Sequence, residues 1–115
     1  MIKMIIPGSI VILHLQNPRE KFWGVMLAIS DFGMTLRGID VYSFDDWTRS
    51  VLSETESTIG LSTIFVPMMR VEKLVLDETS GSYKSLSDQF KERVGHDVSE
   101  FIDLPDNLED PEIMN

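Results

Sequence analysis

Two adjacent acids, Asp45 and Asp46, stand between a tyrosine, a phenylalanine and a tryptophan in the stretch YSFDDW, residues 42–47. Paired carboxylates can divide acid–base work or hold a cation, and the aromatic rings would wall such a site. Neighbouring residues at a helix start point in different directions, however, and no third ligand lies nearby in the sequence. A helix start explains the pair better. Ser43 followed three residues later by Asp46 has capping-box spacing, and the helix dipole favours acids in the first turn. His14 and His96 lie on different elements, and a lone histidine within an apolar strand is more often packed than ligating. No nucleophile elbow, phosphate-binding glycine loop or HExxH pattern occurs. The expectation is a non-enzymatic protein with no catalytic residue, no metal site and no cofactor.

The elements that position these residues must fit into 115 residues of 43% hydrophobic content, enough for one domain with one compact core. No apolar run approaches the roughly 18 residues of a membrane span. The opening MIKMIIPGS is cut short by Pro7 and Gly8, too soon for a signal peptide. Without cysteine there is neither a disulfide framework nor a thiolate zinc site. These features predict a cytoplasmic protein with no membrane partner. The net charge of −9 divides into −3 over residues 1–78 and −6 over residues 79–115. Such a balance disfavours general nucleic-acid binding, which relies on clustered cations.

Along the chain, residues 1–78 read as strands separated by turn signals. SIVILHL (9–15) places Val11, Leu13 and Leu15 on one face and Ile10, Ile12 and His14 on the other, so both faces need cover. NPRE (17–20) is a turn, and KFWGVMLAIS (21–30) a long strand in which Gly24 marks a bend, bulge or close approach. DFG (31–33) leads through a hairpin into MTLRGIDVY (34–42), where Gly38 is a second bend position. A helical insertion follows over about 43–53, with Phe44, Trp47 and Val51 at helical spacing, then a polar stretch and two short strands, 61–67 and 70–78. Residues 79–104 form a C-terminal helical extension packed on the sheet. Its first helix, 85–95, is capped by Ser85 and terminated by Gly95, and its second, 97–104, is capped by Asp97. Residues 105–115, with two prolines and four acids, read as a mobile acidic tail. The fold class predicted is mainly β with C-terminal helices: a small, strongly bent, five-stranded barrel with a helix after strand 3 and two short helices at the end.

Over residues 8–77 this order resembles the Sm-like superfamily of small five-stranded barrels. Gly24 to Asp31 looks like the glycine-bent second strand of such a barrel, and IFVP (64–67), followed by VEKLVL (71–76), looks like its fourth strand, tight turn and fifth strand. The resemblance implies ring assembly through pairing of the fourth strand with a neighbour's fifth, and in many members RNA binding in the pore. The sequence departs from the RNA-binding pattern. The hairpin reads DFGMT without the expected Asn, Pro67-Met68 stands where an Arg-Gly pair is found in many members, and the Lys-His pair of bacterial riboregulators is absent. SH3-like barrels share the same general pattern and are the competing fold.

Two function classes follow. The first is a non-catalytic barrel that forms a homo-oligomer and binds a protein or peptide partner. Its candidate interface is Trp23, Phe65, Pro67, Met68 and Met69, because large aromatics and methionines exceed what a small barrel encloses and are enriched at interfaces. The second is an RNA-binding ring, with Asp31, Phe32, Arg37 and Arg70 as candidate contacts and Arg49 and Lys73 as further cations.

Overall fold

The computed structural model describes residues 2–53 and 59–105. It contains five strands, β1 (Ile10–Leu15), β2 (Glu20–Ile29), β3 (Gly33–Asp40), β4 (Ser62–Pro67) and β5 (Val71–Leu76), and two α-helices, α1 (Phe44–Leu52) and α2 (Leu86–Val94). Short 3-10 turns occupy Val41–Ser43, Met68–Arg70 and Val98–Phe101. All strand pairs are antiparallel, in the order β4-β3-β2-β1-β5. The predicted fold class, a bent five-stranded sheet with a helix after the third strand and a helical C-terminal extension, is the one found. The second C-terminal helix is only a 3-10 turn. The tail expected to be mobile lies, apart from Pro105, outside the described residues.

Chain connectivity alone requires the sheet to curl. β4 and β5 occupy its opposite edges, which in a flat sheet would lie about 19 Å apart. Yet Pro67 and Val71 are separated only by the turn Met68–Arg70, and four residues span at most about 14 Å. Sharp curvature is made locally by Gly24 and Gly38, which face each other across β2 and β3. A Cβ on Gly24 would stand 2.3 Å from the Arg37 carbonyl oxygen, and one on Gly38 only 2.0 Å from that of Trp23. A register shift between Met26 and Ala28 adds a bulge at Leu27.

Curling separates the two faces into two cores. Val11, Leu13, Leu15, Met26, Met34, Leu36 and Val66 fill the inner face. On the outer face Trp23, Val25 and Leu27 meet Phe44 and Trp47 of α1, Phe90 of α2, and Val98 and Ile102. Trp47 stacks on Phe90 at 5.2 Å between ring centres, and Trp23 meets the edge of Phe44 at 4.8 Å. The alternation of SIVILHL foretold this two-sided burial.

The helix starts differ from one another. At α2 the capping is as the sequence predicts: the Ser85 hydroxyl oxygen accepts the Asp88 N–H at 2.9 Å, and Gly95 closes the helix in the left-handed region at φ 84°. Thr79 completes this cap by accepting the Ser85 N–H and donating to the Asp88 carboxylate. At α1 the expected Ser43 cap does not form, and Ser43 makes no side-chain capping bond. The 3-10 turn Val41–Ser43 precedes the helix, so the first free N–H groups lie further upstream, and Asp40 accepts from the Tyr42 N–H at 2.7 Å.

Candidate functional site

Asp45 and Asp46 sit in the first turn of α1, as their spacing suggested, and face Arg49 and Arg93 rather than a cavity. The Arg93 contact ties α1 to α2 across the surface. Both carboxylates raise the Arg49 pKa, chiefly through the Asp46 hydrogen bond. Among the described residues no group of three His, Asp or Glu is placed to hold a metal ion. Among the described residues no helix is long and apolar enough to cross a membrane.

Of the five candidate interface residues, Trp23 is a correction. It is fully buried, with its indole N–H on Asp77. Its neighbour Phe22 turns toward the inner core, and because the helices cover the opposite face, Trp23 is enclosed as well. The surplus of aromatics is therefore partly absorbed by a second core. Phe65, Pro67 and Met69 do lie on the surface, with Phe65 60% and Met69 83% exposed, while Met68 is half-buried.

These residues belong to one rim. Among the described residues β4 is an edge strand, paired with β3 on one side only. Gly33 stands opposite Pro67, and the Val66 carbonyl oxygen and the Phe65 ring occupy the space a Gly33 side chain would need. Phe32, 84% exposed, follows on the hairpin, and its carbonyl accepts the Met68 N–H at 2.9 Å. The hairpin tip, the edge strand and the turn after it thus present Phe32, Phe65, Pro67 and Met69 beside unpaired strand backbone. A second exposed apolar stretch, Ile2 to Ile6, precedes β1.

The candidate RNA contacts are not brought together. Asp31 and Phe32 are exposed at the hairpin. Arg37 is half-buried in mid-strand, reaching Thr63 Oγ1 at 3.4 Å, with its Nε lacking a partner. Arg70 points away, toward the β1–β2 turn. Its Nε donates to the Gln16 carbonyl, and its Nη2 donates to the Pro18 carbonyl and to Glu20 Oε1, each at 2.8 Å in the last two cases. That turn contains a cis Asn17–Pro18 peptide. Arg70 is a correction to the RNA reading, since its role is to clamp the two turns together. Arg49 is likewise engaged by acids.

No family model, no curated protein and no solved structure matches this chain.

Two features escaped the sequence reading. Asp77 accepts from Trp23 Nε1, the N–H groups of Leu86 and Ser87, and the Ser87 hydroxyl, which makes it the junction between the outer core and α2. His14 lies directly between Lys21 on β2 and Lys73 on β5. Its pKa is held below 6.5 by burial and then by these two cations, against a smaller opposing effect of Glu72. Local spacing signals neither, because both depend on register between strands.

Proposed function

We propose that this chain is a cytoplasmic, non-catalytic barrel module of the Sm-like or SH3-like type that self-associates through its β4 rim and presents apolar surface to a protein or peptide partner. The observation that carries this reading is the concentration of exposed Phe32, Phe65 and Met69, at 84%, 60% and 83%, around an edge strand. An unpaired edge offers a row of N–H and C=O groups to another strand, and natural proteins normally blunt such an edge with charge. Here β4 reads STIFVP and carries no charge; a single proline at its last residue is the one other such device in its sequence. The strand order and the three-residue turn between β4 and β5 support the barrel resemblance.

Light scattering coupled to size exclusion tests the proposal on the intact chain. An assembly several times the 13.1 kDa monomer is expected, with little sensitivity to salt because the contact is apolar. Phe65→Lys combined with Met69→Lys should yield monomers whose melting temperature is nearly unchanged. A wild-type chain that stays monomeric at about 100 μM, well above the concentrations at which specific interfaces form, would remove this reading.

A further inference from the structure

The outer face carries a second feature that the apolar rim does not use. His14, Lys21 and Lys73 form a single cross-strand row over β2, β1 and β5. The next row on the same face is Trp23, Ile12 and Val75. Each lysine stands opposite His14 rather than opposite the other, and both disfavour its protonated form. Among the described residues Arg49, Arg70, Lys84 and Arg93 make ion pairs with acids, whereas Lys3, Arg19, Lys21, Arg37, Lys73 and Lys91 make none. In a chain of net charge −9, three of these, Arg19, Lys21 and Lys73, line one hollow of about 250 Å³ together with His14.

Two acids border this hollow, Glu20 and Glu72. Glu20 is already bonded to Arg70. Glu72 is exposed at the shift in register between β1 and β5. A second hollow of about 370 Å³ shares His14 and Lys21 and extends over Ile12, Val41 and Val75 to the exposed ring of Tyr83. Asp77, Glu78 and Lys84 also border it. Of these, Asp77 is occupied by Trp23 and the start of α2, and Lys84 by Glu92. Arg19, Lys21 and Lys73 thus outnumber Glu20 and Glu72 at one end, and apolar and aromatic surface with Glu78 at its border lies at the other.

We propose that these two hollows form one binding site for a small phosphorylated organic molecule, with its phosphate oxygens against His14, Lys21 and Lys73 and its organic part against Tyr83, Val75 and Ile12. Lysine ammonium groups bind phosphate as point charges, and a ring face seats a flat or apolar group. A bound polyanion also offsets the charge of the two lysines that flank His14. His14 then gains a partner for its protonated form, which reverses the effect of the neighbouring lysines on its titration.

Calorimetry and NMR titration of the His14 ring protons on the full chain, with inorganic pyrophosphate, ADP and adenosine as probes, test the site. Pyrophosphate should bind saturably and raise the His14 titration midpoint by about one unit. Lys21→Met and Lys73→Met should each weaken binding by about tenfold, consistent with loss of a charge-assisted contact. Glu72→Gln should tighten binding, a sign that general destabilisation of the fold would not produce. Lys91→Met, on the exposed side of α2, should change nothing. ADP should bind more tightly than pyrophosphate, and Tyr83→Ala should remove that advantage without altering the melting curve. The proposal is overturned by absence of saturable heat, by an unmoved His14 midpoint, or by equal losses in Lys73→Met and Lys91→Met. Binding of a single-stranded oligonucleotide or an acidic peptide through this row, with no binding of pyrophosphate or ADP, would overturn it in favour of a macromolecular polyanion.

Discussion

The indole N–H of Trp23 donates to Oδ2 of Asp77 at 2.9 Å, joining the centre of the outer core to the residue that receives the start of α2. The same carboxylate accepts the Leu86 and Ser87 N–H groups, each at 2.9 Å, and the Ser87 hydroxyl at 2.7 Å. Helix docking and core packing are therefore coupled through one side chain.

Asp77→Ala should cost about 3 kcal/mol, because it leaves several partly buried donors without an acceptor. Trp23→Phe should cost about 1–2 kcal/mol from the lost bond and reduced ring size. A double-mutant cycle by chemical denaturation should return a coupling near 1 kcal/mol. Strict additivity would mean that the indole bond contributes nothing.

Gly24→Ala or Gly38→Ala should destabilise by about 3 kcal/mol or more, since each methyl would meet backbone of the facing strand rather than a movable side chain. Gly60→Ala provides the control. Nothing lies within 4 Å of its Cβ position, so thermal melting should leave this variant close to wild type.

Capping variants should separate the two helices. Ser85→Ala should cost about 1 kcal/mol, and Asp40→Ala a similar amount, whereas Ser43→Ala should fall within a few tenths of a kcal/mol of wild type. Urea denaturation midpoints are sufficient to read the difference. A large Ser43 effect would contradict the observed placement of the cap on Asp40.

Trp47→Ala and Phe90→Ala should each cost about 3–5 kcal/mol through cavity formation, as expected for enclosed aromatics that stack on one another. Association state should follow unfolding in these variants. A soluble, fully folded Trp47→Ala monomer would instead mark Trp47 as a contact between subunits.

His14 gives the stability a pH dependence of definite sign. Its folded-state pKa lies below the ordinary 6.5, through burial first and then Lys21 and Lys73. The unfolded chain therefore takes up the proton more readily, and the contribution present above pH 6.5 is lost as pH falls toward the folded pKa. Asp97, lowered by hydrogen bonds from Ser99, acts with the same sign at lower pH, below its ordinary 3.8. Denaturation at pH 7.5 and 5.5, compared with His14→Gln, should show a smaller loss in the variant.

Much of the fold is determined locally and was therefore legible in the sequence. The α2 start and stop are fixed by bonds that reach three or four residues, so Ser85 and Gly95 could be recognised by type and spacing alone. The alternating faces of β1 and the bends at Gly24 and Gly38 follow similarly from strand period and the absence of a side chain. Spacing failed at Ser43 because a 3-10 turn of different hydrogen-bond period came first and transferred the cap to Asp40. Tertiary structure alone enclosed Trp23, withdrew Arg70 toward the β1–β2 turn and aligned His14 with Lys21 and Lys73. Those relationships join residues as far apart in the chain as His14 and Lys73, and they exist only after strand register is set. A sequence shows which side chains a strand presents on each face; only the packed sheet determines what stands opposite them, and therefore whether an aromatic is core or surface and whether a cation is a clamp or part of a site.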